Sequence, residues 1–179
     1  VESPDLIEGQ INDILEDPIN ERTYRYLSQN IRDFEKMSDI EKVNAIRRWL
    51  AKKLEFEYYS SSKSKIEGAI VQDHDQYSTM ESMDIIEGII GSKDPIYILC
   101  AGLNTILMKI YQELDIPVIS LNFGFKGRVY THFVTLVEVD NELFLQDAWY
   151  NTTWLSNDGE YLSLDKVLNY LEKYEVNKI

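Results

Sequence analysis

The hydrophobic rhythm of this chain changes once, at Pro117. Before it, Leu103, Ile106, Leu107, Ile110, Tyr111 and Leu114 recur at three- and four-residue spacing, the pattern of a helix with one buried stripe. Beyond it, Val118 to Phe123, Tyr130 to Val139 and Glu142 to Trp149 are rich in Val, Thr, Phe and Leu and read as strands. Proline lacks the amide that a continuing helix needs, so it marks the boundary. Helices followed by a run of strands predict an α+β fold, with helices packed on an antiparallel sheet.

The first half supplies the other helices. Residues 4–15 and 20–36 read as helical, separated by Asp17-Pro18, with Asn20 placed to cap the second. Tyr24, Leu27, Ile31 and Phe34 give that second helix a packing stripe. Ser38-x-x-Glu41 is a capping box and predicts a third helix, with Val43, Ile46, Leu50 and Leu54 on its buried face. Ser60 to Lys65 and Asp73 to Ser82 are polar and aperiodic, hence loops. Met83 to Ile90 reads as a short helix stopped by Gly91. Ser163 is placed to cap a last helix with Leu164, Val167, Leu168 and Leu171 inside.

A chain of 179 residues fits one domain: a helical extension at 1–37, a core at 38–155 and a C-terminal helix at 156–179. With 44% apolar residues it can bury a core without disulfides or a structural metal. One cysteine makes no internal disulfide and is too few for a thiolate zinc site. Two histidines argue against an imidazole-rich metal site, and no cofactor is implied. Asp73, Asp75 and Asp84 suggest a calcium loop, but Ser78 stands where an EF-hand needs Gly and Asp84 where it prefers Glu. A net charge of -13 argues against a nucleic-acid partner. The one basic cluster, Arg47, Arg48, Lys52 and Lys53, is expected on a solvated helix face. No apolar run is long enough to span a bilayer. The chain starts at Val1 rather than Met, as expected of a processed or trimmed sequence, and its compartment and oligomeric state stay open.

The chemistry concentrates on Cys100, His132 and Asp147. Cys100 lies three and seven residues before Leu103 and Leu107, so it continues the buried stripe towards the sheet. Were the helix to begin near Leu99, free backbone amides would surround the sulfur, favour thiolate and be available to an oxyanion. Asp94-Pro95 is an alternative helix start, and it would leave Cys100 about a turn and a half inside, where the dipole has faded. Asp140-Asn141 suits a two-residue turn, because both types tolerate positive φ. The resulting register pairs Val139 with Glu142 and puts His132, Val134, Leu136 and Glu138 on one face with Leu143, Leu145, Asp147 and Trp149. That face is mostly apolar and is therefore expected to be the core face. His132 and Asp147 are diagonal neighbours on it, within reach of each other. A buried imidazole and a buried carboxylate are each costly alone and satisfy each other together. His74 is the competing imidazole, in an acidic loop with no partner pattern. Trp149 and Trp154 follow the aspartate and suit either a cleft wall or core packing.

At these residues the chain resembles the transglutaminase-like (papain-like) cysteine enzyme superfamily. The resemblance rests on Cys100-Ala-Gly-Leu-Asn-Thr-Ile-Leu with Leu-Asp-Ile-Pro at the helix end, Thr131-His132-Phe133-Val134, Val137 to Glu142, and Leu145-Gln146-Asp147-Ala148. The helix at 39–54, ending in Phe56-Glu57-Tyr58, resembles the one that precedes the family core. The family often has glycine two before its cysteine, an aromatic two after its histidine and proline after its aspartate, where this chain has Ile98, Val134 and Ala148. The resemblance implies Cys100 as nucleophile, His132 as general base and Asp147 as its orienter, acting on a protein or peptide substrate through an acyl-thioester. Hydrolysis is expected over acyl transfer, since transfer needs a site that excludes water. A binding or scaffold module without chemistry is the alternative from another class.

Overall fold

The computed structural model describes residues 21–54, 70–72, 80–91, 96–98, 100–124 and 131–175. The expected helix at 4–15, the loop at 60–65, most of the loop at 73–82 and His74 lie outside these residues. The described chain is α+β. Its helices are α1 (Glu21–Asn30), α2 (Asp39–Lys53), α3 (Ser82–Gly91), α4 (Cys100–Glu113) and α5 (Leu164–Glu175). Strands β3 (Val118–Gly124), β4 (Thr131–Val139) and β5 (Glu142–Gln146) form an antiparallel sheet in that order. Two three-residue strands, β1 (Ile70–Gln72) and β2 (Ile96–Ile98), pair in parallel and were not foreseen, being too short to show a period.

α4 is the centre of the fold. Leu103, Ile106, Leu107, Ile110 and Tyr111 are fully buried along it. They pack with Leu27 of α1, Val43, Ile46 and Leu50 of α2, Met83, Ile85 and Ile86 of α3, and Val137, Val139 and Phe144 of the sheet. Each such side chain contributes about 1.5–3 kcal/mol when taken from water. Burial raises the pKa of Tyr111 well above its ordinary value, and its hydroxyl donates to the Val43 carbonyl at 2.9 Å.

The capping box forms as expected. The Ser38 hydroxyl and amide both donate to one Glu41 oxygen, at 2.7 and 2.8 Å, and hold its carboxyl below the usual range. The helix expected at 20–36 ends early: α1 stops at Asn30, Asp33 turns left-handed at φ 58°, and Phe34–Lys36 form a 3-10 turn. Asp tolerates that conformation, and the turn still buries Phe34 beside Leu27 and Ile31. The basic cluster splits. Arg48, Lys52 and Lys53 are exposed, whereas Arg47 is buried, bonded through Nε to Gln146 Oε1 at 3.0 Å and through its Nη atoms to Asn151 and Asn44. Burial lowers its pKa from the ordinary guanidinium value, partly offset by Tyr111.

The hairpin has the expected turn and register. Asp140 and Asn141 take φ of 53° and 62°, and Val139 pairs with Glu142. The face assignment is different. α4 packs on the side bearing Val137, Val139 and Phe144, while Val134, Leu136 and Leu145 form a smaller cluster with Leu121, Trp154 and Leu164. Both faces are covered, so apolar alternation did not distinguish them. β5 also ends at Gln146 rather than Trp149, because Asp147 exchanges backbone hydrogen bonds with Thr152 and closes a tight loop over 148–151. In α5, Leu164 and Val167 are half-buried but Leu168 and Leu171 are exposed, so the expected inner stripe covers only its first turn. The Ser163 hydroxyl donates to Glu142 at 3.2 Å.

Glu113, at the end of α4, ties three helices. Its carboxylate accepts the Thr23 hydroxyl of α1 at 2.6 Å, the Ser82 amide of α3 at 2.7 Å and the Ser82 hydroxyl. An anion at the start of α3 also complements the helix dipole. Glu113→Ala strands these buried donors and is expected to cost about 1–3 kcal/mol, read as a lower urea midpoint; an unchanged midpoint would contradict the role.

Candidate active site

Cys100 is the first residue of α4. Because β2 occupies Ile96–Ile98 and α4 begins at Cys100, the helix starts beside Leu99, as the first alternative expected, and not at Asp94-Pro95. The sulfur sits in the first turn, where backbone amides lack partners within the helix. Cys100 is a free thiol and is partly exposed. One turn on, Asn104 is fully buried.

His132 lies one residue into β4, opposite Phe123 of β3 and beyond the last β4–β5 rung, Thr135–Gln146. Asp147 follows the end of β5. The two side chains meet, with His132 Nε2 2.7 Å from Asp147 Oδ2. The imidazole is 28% exposed and the carboxylate 3%, so solvent reaches the ring and not its partner. In a contact between a neutral imidazole and a carboxylate the carboxylate accepts, which puts the ring proton on Nε2 and the acceptor lone pair on Nδ1.

The other carboxylate oxygen is filled from within. Oδ1 accepts the Trp149 amide at 2.9 Å, the Tyr150 amide at 3.4 Å and Asn104 Nδ2 at 3.2 Å. The two amides make a local turn of the kind Asp favours, which explains why the strand stops here. From the other side Arg47 holds Gln146 and Asn151, the residues flanking this turn. Tyr150, 56% exposed, lies against the imidazole with ring centroids 5.0 Å apart.

Sequence reasoning thus located His132 and Asp147 correctly as neighbours. Cys100 is joined to them through Asn104, whose Nδ2 lies 3.2 Å from the Cys100 carbonyl; among the described residues no hydrogen bond links the Cys100 sulfur to His132. Asn104 and Tyr150 were missed. An Asn inside a helix stripe is a visible oddity, since helix interiors disfavour it, and that signal was available. Trp149 packs against the main core and Trp154 against the smaller cluster, which supports packing for both. Asp84, the last position of the rejected calcium loop, pairs with Arg22 at 2.7 Å. Among the described residues no group of His, Cys, Asp and Glu could hold a metal, and no helix is long and apolar enough to cross a membrane.

Compared with known proteins, the chain matches no family model and no curated protein. A crystal structure of a candidate cysteine protease from Cytophaga hutchinsonii matches it with a TM-score of 0.46 and 18% identity. The match covers 80% of this chain and 43% of that one, so this chain spans less than half of that protein's length.

Asp147→Ala removes the acceptor for four donors at once. We expect a loss of at least about 1–3 kcal/mol in urea unfolding, with faster hydrogen exchange at the Trp149 amide. Wild-type stability and exchange in this variant would mean that the carboxylate does not organise the loop.

Proposed function

We propose that the protein is a cysteine-dependent amide-bond hydrolase of the transglutaminase-like (papain-like) kind, with Cys100, His132 and Asp147 as its triad. The observation that carries this reading is the 2.7 Å contact between His132 Nε2 and a buried carboxylate. It matches what a thiol nucleophile needs from its base: one ring nitrogen held, the other available. The place of Cys100 at the start of α4 and its partial exposure support its role.

In this mechanism His132 Nδ1 takes the Cys100 proton, and the sulfur attacks the carbonyl carbon of a protein or peptide amide. Amides at the start of α4 receive the oxyanion. The C–N bond breaks as the imidazolium protonates the leaving amine, and Asp147 stabilises that imidazolium. Water then adds to the acyl-thioester, with His132 as base, and restores the thiol. The solvent-reachable imidazole favours hydrolysis over transfer to a second amine. A second reading, a binding module that has lost its chemistry, is motivated by the departures from the family pattern at Ile98, Val134 and Ala148.

Alkylation by iodoacetamide separates the two. An unassisted thiol ionises near 8.5, so it reacts slowly at neutral pH. Native wild-type protein should react fast at neutral pH, His132→Ala should react at least about tenfold more slowly, and His74→Ala should match wild type. A native thiol that is inert, or that reacts equally without His132, would refute the enzyme reading.

A further inference from the structure

The β4–β5 ladder runs through Val139–Glu142, Val137–Phe144 and Thr135–Gln146. The next rung of the same kind would join Phe133 to Ala148, exchanging backbone N–H and C=O. That rung is taken by a side chain. Asn104 Nδ2 donates to the Phe133 carbonyl at 2.8 Å, and Asn104 Oδ1 accepts the Ala148 amide at 2.9 Å. A primary amide has the donor and acceptor of a peptide unit, so it fits between the strands and satisfies both backbone groups.

The same nitrogen lies 3.2 Å from Asp147 Oδ1 and 3.2 Å from the Cys100 carbonyl. Two N–H bonds are therefore shared among three acceptors. These belong to the helix start that carries the thiol, the strand residue next to His132, and the carboxylate itself. We propose that Asn104 is a positioning residue of this site: its amide replaces one sheet rung and locks the start of α4 to the His132–Asp147 pair. The assignment rests on the amide-bond reading above and deepens it. With Oδ1 occupied by Asn104 and by the Trp149 and Tyr150 amides, only Oδ2 faces the imidazole. Asn104 thereby holds His132 in the Nε2–H tautomer and leaves Nδ1 to accept the thiol proton.

The test compares Asn104→Ala with Tyr111→Phe, which deletes a buried hydrogen bond elsewhere on α4. Two quantities are read in folded protein: the His132 tautomer from its ring nitrogen NMR signals, and the iodoacetamide rate at neutral pH. Asn104→Ala should lose the single Nε2–H signature and react at least about tenfold more slowly, while Tyr111→Phe keeps both wild-type values. If Asn104→Ala does not fold, Asn104→Ser carries the same two readouts. A wild-type tautomer and rate in the Asn104 variant would overturn the assignment and leave the amide-bond reading standing. A wild-type thiol inert at neutral pH would overturn the amide-bond reading, and the assignment with it.

Discussion

A carboxylate buried in a protein must find donors for its lone pairs, and Asp147 finds four. Three fill one oxygen and the fourth is the imidazole on the other. Several features of the fold follow from that need. β5 stops so that two loop amides can turn back onto the carboxylate. The loop over 148–151 closes through Thr152, and Asn151 takes φ of 50° within it. Tyr150 is thereby set against His132. Satisfying one acidic group shapes the end of the sheet where the thiol helix begins.

The surroundings stiffen this arrangement. α4 is buried along one stripe between the other helices and the sheet, so Cys100 and Asn104 stand on a well-packed element of the fold. Arg47 reaches the same strand end from α2. Its guanidinium is held by neutral amide oxygens, an expensive way to bury a cation. The hydrogen bonds to Gln146 and Asn151 fix both ends of the turn that contains Asp147. The His132 imidazole is thus held by packed, hydrogen-bonded groups rather than by a loose surface loop.

Much of the architecture could be read before any coordinates. Local chemistry was dependable: the Ser38 and Glu41 capping box, the stripe of α4 and the Asp140-Asn141 turn each formed as expected. The turn sets the register, and the register brings His132 and Asp147 together. What stayed hidden depended on three dimensions. Both sheet faces are apolar, so alternation did not reveal which one meets α4. Arg47 looked solvated because two of its three neutral partners, Gln146 and Asn151, lie 99 and 104 residues away in sequence. Asn104 sat unnoticed in the helix stripe, since only the broken rung at Phe133 and Ala148 explains a polar residue there.

The central claim is that sulfur, imidazole and carboxylate act as one unit. The direct measurement is the separation of Cys100 Sγ from His132 Nδ1 in a crystal of the protein acylated or alkylated at the thiol and of the free protein. The account predicts a free-protein separation within about 4 Å, at a groove open to solvent. A sulfur enclosed elsewhere in the core, with Nδ1 turned away from it, would contradict the account.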